Sequence, residues 1–483
     1  MDDVVTNCER IVDSEFVDRF LAAQVTEEES QRFAQQSAEV IAFTLLTLQA
    51  RIGQGQSPAG PNTPSSAIPP YEKPVPQPKL KNKRQRGGQV GHEGRSRKKP
   101  PKPDRTRTHR LKKCPQCGTK LRPTSETRER FSEDIPEDLK PVVTKDIIHR
   151  DYCPCCQKRV TPKLPDVLPG CMLGNRTLVF SALLHFLQGL TLSQIVDTFN
   201  FHLRMKITAG GLVQMWHRLA DILFAWYEQI HQESLESAKL HADETGWRVS
   251  GQTHWLWCFA GTETVYYMID RSRGSPALRK FFTRYFDGTL ITDFWSPYDA
   301  IECADQQKCW PHLLRDVAAV DEKSGGDPEW ASFCRRLVST YRAAKKLHPQ
   351  RSTMDKDDYE LKSLQLEGRL INLGTETWNH PDAKRLAKRM KKYHSQLLTF
   401  LRYDDVASDN NAGERAIRPA VMIRKNSYAN QSDRGALTQS VLMTVFRTLK
   451  LRNLQPIDTI LEALTTYTQS GTLPKLPPKA SGS

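Results

Sequence analysis

At 483 residues the chain is too long for a single compact core and reads as roughly two to four domains. Lys and Arg exceed Asp and Glu by 15 and the pI is near 9.3, which favours partners of dense negative charge, nucleic acid first and an acidic membrane surface second. No apolar run approaches the roughly 20 residues that span a bilayer, and the opening Met-Asp-Asp-Val-Val lacks the basic-then-apolar start of a secretory signal; a cytoplasmic, nucleoid-associated protein without a membrane partner is expected.

Residues 1–51 carry 10 acidic and 4 basic side chains, with Phe16, Phe20, Leu21, Val40, Ile41, Leu45 and Leu48 at helical intervals. This spacing predicts an amphipathic helix or helical pair, packed on the body or self-associating as a short coiled coil. From Gly53 to about Pro78 the chain turns to Pro, Gly, Ser, Asn and Gln, a linker composition. Lys79 to Lys113 then holds 15 Lys or Arg against Glu93 and Asp104. Such density predicts contact with a phosphate backbone, through Lys83, Arg84, Arg86, Arg95, Arg97, Lys98 and Lys99, and fixes no base sequence.

Of the 11 cysteines, Cys8, Cys171, Cys258, Cys303, Cys309 and Cys334 are scattered. The others form two tight groups, Cys114 with Cys117, and Cys153 with Cys155 and Cys156. Two such knuckles each aim a pair of thiolates at one ion, so Cys114, Cys117, Cys153 and Cys156 predict a structural tetrahedral Zn²⁺ site. Cys155 competes with Cys156 as fourth ligand, and a strand pair such as Val142–Ile148 is expected between the knuckles.

Residues 175–235 follow a helical period: Leu178 to Leu187, then a helix starting at Thr191-Leu192-Ser193, then one capped by Thr208. Three short helices suit either a helix-turn-helix or a plain bundle. From Lys239 the period becomes that of strands. Three runs, "KLHADETGWRVS", "THWLWCFAG" and "TVYYMIDRS", read as an antiparallel meander. A helix follows at Ser275–Tyr285, then the strand "GTLITDFWSPYDA", then "QQKCWPHLLRDV" as strand into helix. The order βββαβα, with acids on the first and fourth strands, is an RNase H-like layout in which those strands are neighbours. Asp243 and Asp293 are then expected to meet, with Glu244 competing for the position of Asp243 because alternation turns only one of the two to the site.

Two converging carboxylates repel unless a cation neutralises them, and oxygen-only donors suit Mg²⁺ or Mn²⁺. Two such ions would serve phosphodiester chemistry and call for a third acid, Glu414, in a helix capped by Ser408 or Asp409. Arg415, Arg418, Arg424 and Lys425 would flank it and hold DNA phosphates. Asp299, Asp316 and Asp321 read as surface acids.

These residues resemble the transposases of the insertion sequence 66 family, which are DDE-type enzymes, from about Arg86 onward. "RGGQVGHEGRSR" is similar to the family's basic Gly-rich segment, and the knuckles to its zinc-binding domain. "HADETGWRV" and "LITDFWSPYD" resemble its two aspartate strands, and "CWPHLLRD" its His-containing junction, which places His312 at a position of accessory or purely packing role. "DNNAGERAIRP…RKNS…SDRGA" is the most specific match.

The resemblance implies that Asp243, Asp293 and Glu414 are catalytic and hold two Mg²⁺ or Mn²⁺ ions. It implies double-stranded DNA (element ends and target) as substrate, a homodimer or higher oligomer, and accessory proteins of the same element. A domesticated, non-catalytic zinc-containing DNA-binding protein and an RNase H-like nuclease without strand transfer are the alternatives.

The expected organisation is a multidomain α+β protein. It comprises a helical region at 1–51, a linker and basic arm at 52–110, a zinc-ribbon-like domain at 111–170 and a helix-turn-helix-like domain at 171–236. An RNase H-like core at 237–320 and 405–470 is interrupted by an α-helical insertion at 321–404, with a tail at 471–483.

Overall fold

The structure, a computed structural model, describes residues 102–480 except 123–128, 133–134, 137–138 and 325, together with the isolated positions 26 and 35. The expected N-terminal helices, and Lys83, Arg84, Arg86, Arg95, Arg97, Lys98 and Lys99 of the basic arm, lie outside the described residues. The chain divides into two units. The first takes Tyr227–Val421 and Ala429–Ser440; the second takes the chain from residue 102 to Trp226, with Met422–Tyr428 and the stretch from Val441 onward.

In the second unit, β1 (Asp151–Cys153) pairs antiparallel with β2 (Lys158–Val160), so this small hairpin carries the second cysteine knuckle at its turn. The strand pair predicted at Val142–Ile148 does not form: residues 141–150 have no strand pairing, and Val142, Val143 and Ile147 are exposed. Apolar β-branched residues without a surface to cover gain nothing from extended pairing.

Helix α1 (Asn175–Ala182) runs on as a π-turn through Leu187. Helix α2 (Leu192–Asp197) begins where the sequence predicts, and a reciprocal capping box between Thr191 and Gln194 closes its start. Thr208 Oγ1 likewise accepts the N–H of Gly211 at the head of α3 (Ala209–Leu235). This helix is 27 residues long, not short. Leu178, Phe186, Ile195, Phe199, Leu212 and Trp216 form the buried faces, and Trp216 Nε1 donates to Ser181 Oγ at 3.0 Å.

The first unit is built on a five-stranded sheet. β3 (Lys239–Val249), β4 (Gln252–Ala260) and β5 (Val265–Asp270) form the expected meander. Helix α4 (Ser275–Phe281) crosses back, and Phe281 stacks on Phe259 with ring centroids 3.7 Å apart. β6 (Phe286–Thr292) then pairs parallel to β3, and β7 (Cys303–Lys308) parallel to β6, in the order β5-β4-β3-β6-β7. Gly288 makes this joint possible, since a Cβ there would lie 2.6 Å from the Ser237 carbonyl oxygen and 2.8 Å from that of Ala238.

Helix α5 (Trp310–Ser324) leaves β7 and leads into α6 (Pro328–Leu347), α7 (Lys356–Thr375) and α8 (Pro381–Tyr393), the helical insertion expected from the sequence. Asp327 and Asp355 cap α6 and α7 through backbone N–H groups at 2.8 and 2.9 Å. Trp330, Phe333, Leu337, Leu370, Leu386 and Met390 share one apolar core with Ile291, Phe294 and Trp310 of the sheet layer. Each such buried side chain contributes about 1.5–3 kcal/mol of transfer free energy.

Asp316, expected at the surface, is instead buried and held by Arg385 at 2.9 Å and Arg389 at 2.8 Å. Asp299 is likewise taken up, by the fully buried Lys308 at 2.9 Å and by Lys392 at 2.7 Å. Asp316 fastens α8 to α5, and Asp299 fastens it to the turn that follows β6. Chain distance hid this, because these α8 partners lie 69 to 93 residues away.

The chain returns as α9 (Asn411–Ser427), then α10 (Asp433–Leu451) and α11 (Pro456–Ser470). In the second unit Arg447 donates to the Leu187 carbonyl oxygen at 2.6 Å and Trp226 to that of Pro474 at 2.6 Å, tying the last helices to α1 and α3.

Candidate active site

Asp243 lies mid-strand in β3, opposite Cys258 of β4. The β3–β6 register pairs His241 with Ile291, so two residues further along Asp243 comes beside Asp293, the first residue past β6. A one-residue slip would turn Asp243 to the other face, and the parallel pairing of apolar Leu240 with Leu290 guards against it. Asp293 Oδ1 accepts the Trp295 N–H at 2.8 Å, and Asp243 Oδ1 accepts that of Glu244 at 2.9 Å.

Glu414 stands in the first turn of α9, its N–H bonded to the Asn410 carbonyl oxygen at 3.0 Å. Asp409 Oδ1 accepts the Asn411 N–H at 3.1 Å at the same helix start, as predicted. The Glu414 carboxylate meets Arg315 Nη2 at 2.9 Å, and His312 Nε2 lies 3.8 Å away. Arg315 and His312 sit three residues apart on α5 and so face the same way.

Burial, then the negative charges of Glu244, Asp293 and Glu414, hold the Asp243 carboxyl well above the usual carboxylate range. The other two acids named from the sequence, Asp293 and Glu414, are thus felt at the half-buried Asp243 carboxyl. Such a concentration of repelling carboxylates fits a site that takes up cations, and its donors are oxygen only. Among the described residues no three His, Cys, Asp or Glu side chains stand close enough to hold one ion together; Glu414 is turned to Arg315. His312 is held below its ordinary value, chiefly by burial and by Arg315, and its Nδ1 is buried with no hydrogen-bond partner among the described residues.

Glu244 faces away from Asp243, as strand alternation requires, and is 3% exposed. Arg273 donates to its Oε1 from Nε and Nη2, both at 3.1 Å, and Tyr298 to its Oε2 at 2.6 Å. The Arg273 guanidinium lies between the rings of Trp255 and Trp295, at 4.6 and 4.0 Å. Arg273 and Arg315 were not singled out from the sequence; only the position of Arg315 one turn after His312 could have marked it.

Burial, followed by the charge of Asp293, raises Glu244 from 4.5 to about 7. The native chain then holds a proton that the unfolded chain has released, so stability falls as pH rises across that window. Glu244→Gln removes this group's share of the slope: wild type should lose up to about 3 kcal/mol relative to the variant between about pH 5 and pH 7. Equal pH slopes of the two proteins in urea titrations would refute this.

Arg415, Arg418 and Lys425 are exposed on α9, whereas Arg424 is half-buried and its Nε is enclosed. At the knuckles, the Cys114 N–H bonds to the Thr119 carbonyl oxygen at 2.9 Å and the Gly118 N–H to that of Cys114 at 2.9 Å, closing the turn. The Cys117 thiol is lowered by Thr119 and then by the Cys114 thiol; that of Cys153 is lowered by the Cys156 N–H and then by the Cys156 thiol. Each pair is therefore assembled, Cys155 being exposed beside it, but the two pairs are not brought within reach of one ion. The thiols suit Zn²⁺ by chemistry, pair by pair.

A family model described as "Transposase IS66 family" matches residues 170–438, more than half of the chain. Two proteins of Sinorhizobium fredii (strain NBRC 101917 / NGR234) are similar to it, both named as uncharacterized. Protein y4qI is 23% identical over 294 residues, 55% of this chain and 54% of its own length, so the chain spans about half of that relative. Protein y4jD is 22% identical over 409 residues, 74% of this chain and 77% of its own. No helix among the described residues is long and apolar enough to cross a membrane. The family match runs from before α1 to the start of α10 and takes in all three acids, and with it the chain belongs to the IS66 transposase family.

Proposed function

We infer that the protein binds the ends of a mobile DNA element and performs metal-dependent cleavage and strand transfer on an RNase H-like core. The carrying observation is the adjacency of Asp243 and Asp293 on neighbouring parallel strands, with the charge of Glu414 acting on the half-buried Asp243 carboxyl. The sheet order β5-β4-β3-β6-β7, one antiparallel meander followed by two parallel strands, supports the RNase H-like reading.

Asp243, Asp293 and Glu414 would hold two Mg²⁺ or Mn²⁺ ions, which supply activation of the attacking oxygen and stabilisation of the leaving oxygen. Asp243 and Asp293, fixed by strand pairing, set the position of the reacting phosphodiester. Glu414 would exchange Arg315 for these ions, which would leave the Arg315 guanidinium, 61% exposed, for a neighbouring phosphate. Arg415, Arg418 and Lys425, with the basic arm, provide sequence-independent grip. Replacing Arg415 and Arg418 together by Ala should weaken binding of all duplexes alike and reduce the salt slope by roughly 1 to 2, measured by titration at several salt concentrations.

The test is an end-joining assay with duplex DNA carrying the element's terminal repeat, labelled at the 3′ end, in Mg²⁺. Joined product is expected. Cleavage without joining would make the protein a nuclease, and binding without either would make it a DNA-binding protein alone. The four cysteines Cys114, Cys117, Cys153 and Cys156 are proposed to close on a structural Zn²⁺, with about one ion per chain by elemental analysis. Cys114→Ser with Cys117→Ser should abolish that content; unchanged zinc would remove the assignment. Dimerisation and accessory proteins of the same element complete the proposal.

A further inference from the structure

Asn410 is 1% exposed and sits where the strand of Asp243 meets the helix of Glu414. Its Nδ2 donates to the Ala242 carbonyl oxygen at 2.8 Å, the peptide directly before Asp243. Its Oδ1 meets His241 Nδ1 at 2.9 Å, which requires the proton on Nδ1. Its backbone N–H reaches Cys309 Sγ at 3.2 Å, where β7 passes into α5, the helix of His312 and Arg315. Its carbonyl oxygen accepts the N–H of Glu414.

A residue at a helix start ordinarily turns its side chain back to cap its own helix. This one spends both amide atoms on β3, 168 and 169 residues away, and leaves the capping to Asp409. The amide is also boxed in. A Cβ on Gly413 would stand 2.7 Å from Asn410 Oδ1 and 3.1 Å from Nδ2, so glycine at 413 is what leaves the amide its place. Being doubly hydrogen-bonded and buried, that amide has no other rotamer to retreat to without stranding His241 and the Ala242 carbonyl.

We propose that Asn410 is a positioning residue that sets the spacing between the Asp243 strand and the Glu414 helix, and so the affinity of the acid triad for divalent ions. The proposal rests on the three acids being the metal ligands. Groups that orient ligands without touching the metal commonly account for about 10–100-fold in affinity or activity.

The measurement is Mn²⁺ binding to the full chain by electron paramagnetic resonance of the free ion, with Mg²⁺ dependence of end cleavage alongside. Asn410→Ala and Gly413→Ala should each weaken Mn²⁺ roughly 10–100-fold, shift the Mg²⁺ dependence by a similar factor, and leave end-DNA binding unchanged. Asn410→Asp keeps the acceptor for His241 and loses the donor to Ala242, and should fall between. Leu370→Ala, in the insertion core, is the control for lost stability: it should lower the melting temperature while keeping Mn²⁺ affinity.

Gly413→Ala and Asn410→Asp keep the test open should Asn410→Ala fail to fold. Folded variants that bind Mn²⁺ within two-fold of wild type would overturn the proposal. If Asp293→Asn also bound Mn²⁺ like wild type, the metal-ligand reading would have failed instead.

Discussion

Asp293→Asn is expected to reduce end cleavage and strand joining by at least about 10³-fold, because it removes a charge from the proposed ion site, whose ions would contribute several kcal/mol at the transition state. The same change should raise the melting temperature of the metal-free protein. Asp293 is one of the charges that push the Asp243 carboxyl upward, behind burial and Glu244, so its removal relieves a repulsion that folding otherwise has to overcome. Loss of chemistry with gain of stability is the mark of a site held in strain for function, and a global folding defect would give the opposite sign for the second quantity. Measured together, a residual activity above a tenth of wild type would sink the catalytic assignment of Asp293. A drop in melting temperature would refute the repulsion argument alone.

Trp310→Ala should be the most destabilising single change at the joint between sheet and insertion, at about 3–5 kcal/mol. Trp310 is fully buried, stacks on Tyr341 of α6 at 4.7 Å, and donates from Nε1 to the Leu397 carbonyl oxygen at 2.6 Å. Its backbone N–H bonds to the Ser408 carbonyl oxygen at 3.0 Å, just before the Glu414 helix. The substitution therefore opens a cavity and strands an acceptor at once. For a unit of this size it should lower the melting temperature by roughly 6–20 °C. Trp310→Phe, which keeps most of the volume, should cost much less, and similar losses for the two variants would show that packing is not what matters there.

How the site comes together shows the division between what residues dictate locally and what they dictate at a distance. The meander, the parallel strand after it and the caps at Thr191, Thr208 and Asp409 are all legible, because hydrophobic period and capping act within about one turn or a few residues. The three acids are legible as well: their strand and helix settings, and the match of "DNNAGERAIRP" to a known family pattern, single them out.

What the chain alone leaves open is most of the charge pairing across tens of residues, the Asp243–Asp293 pair apart. Asp316 and Asp299 look like surface acids until α8 folds over them and supplies Arg385, Arg389 and Lys392. Glu244 competes with Asp243 on paper and is settled by Arg273 and Tyr298 closing on it from the opposite face. The Val142–Ile148 segment has the residues of a strand but no apolar surface to lie against, and stays unpaired.

Asn410 reads as one polar residue among several in "SDNNAGE", and only folding reveals that it joins β3, β7 and α9. Composition, period and spacing determined the local elements and the acids they carry, since those are properties of neighbours. The tertiary structure decided which charges are paired, buried or left exposed, since a side chain's electrostatic fate depends on what distant segments bring to it.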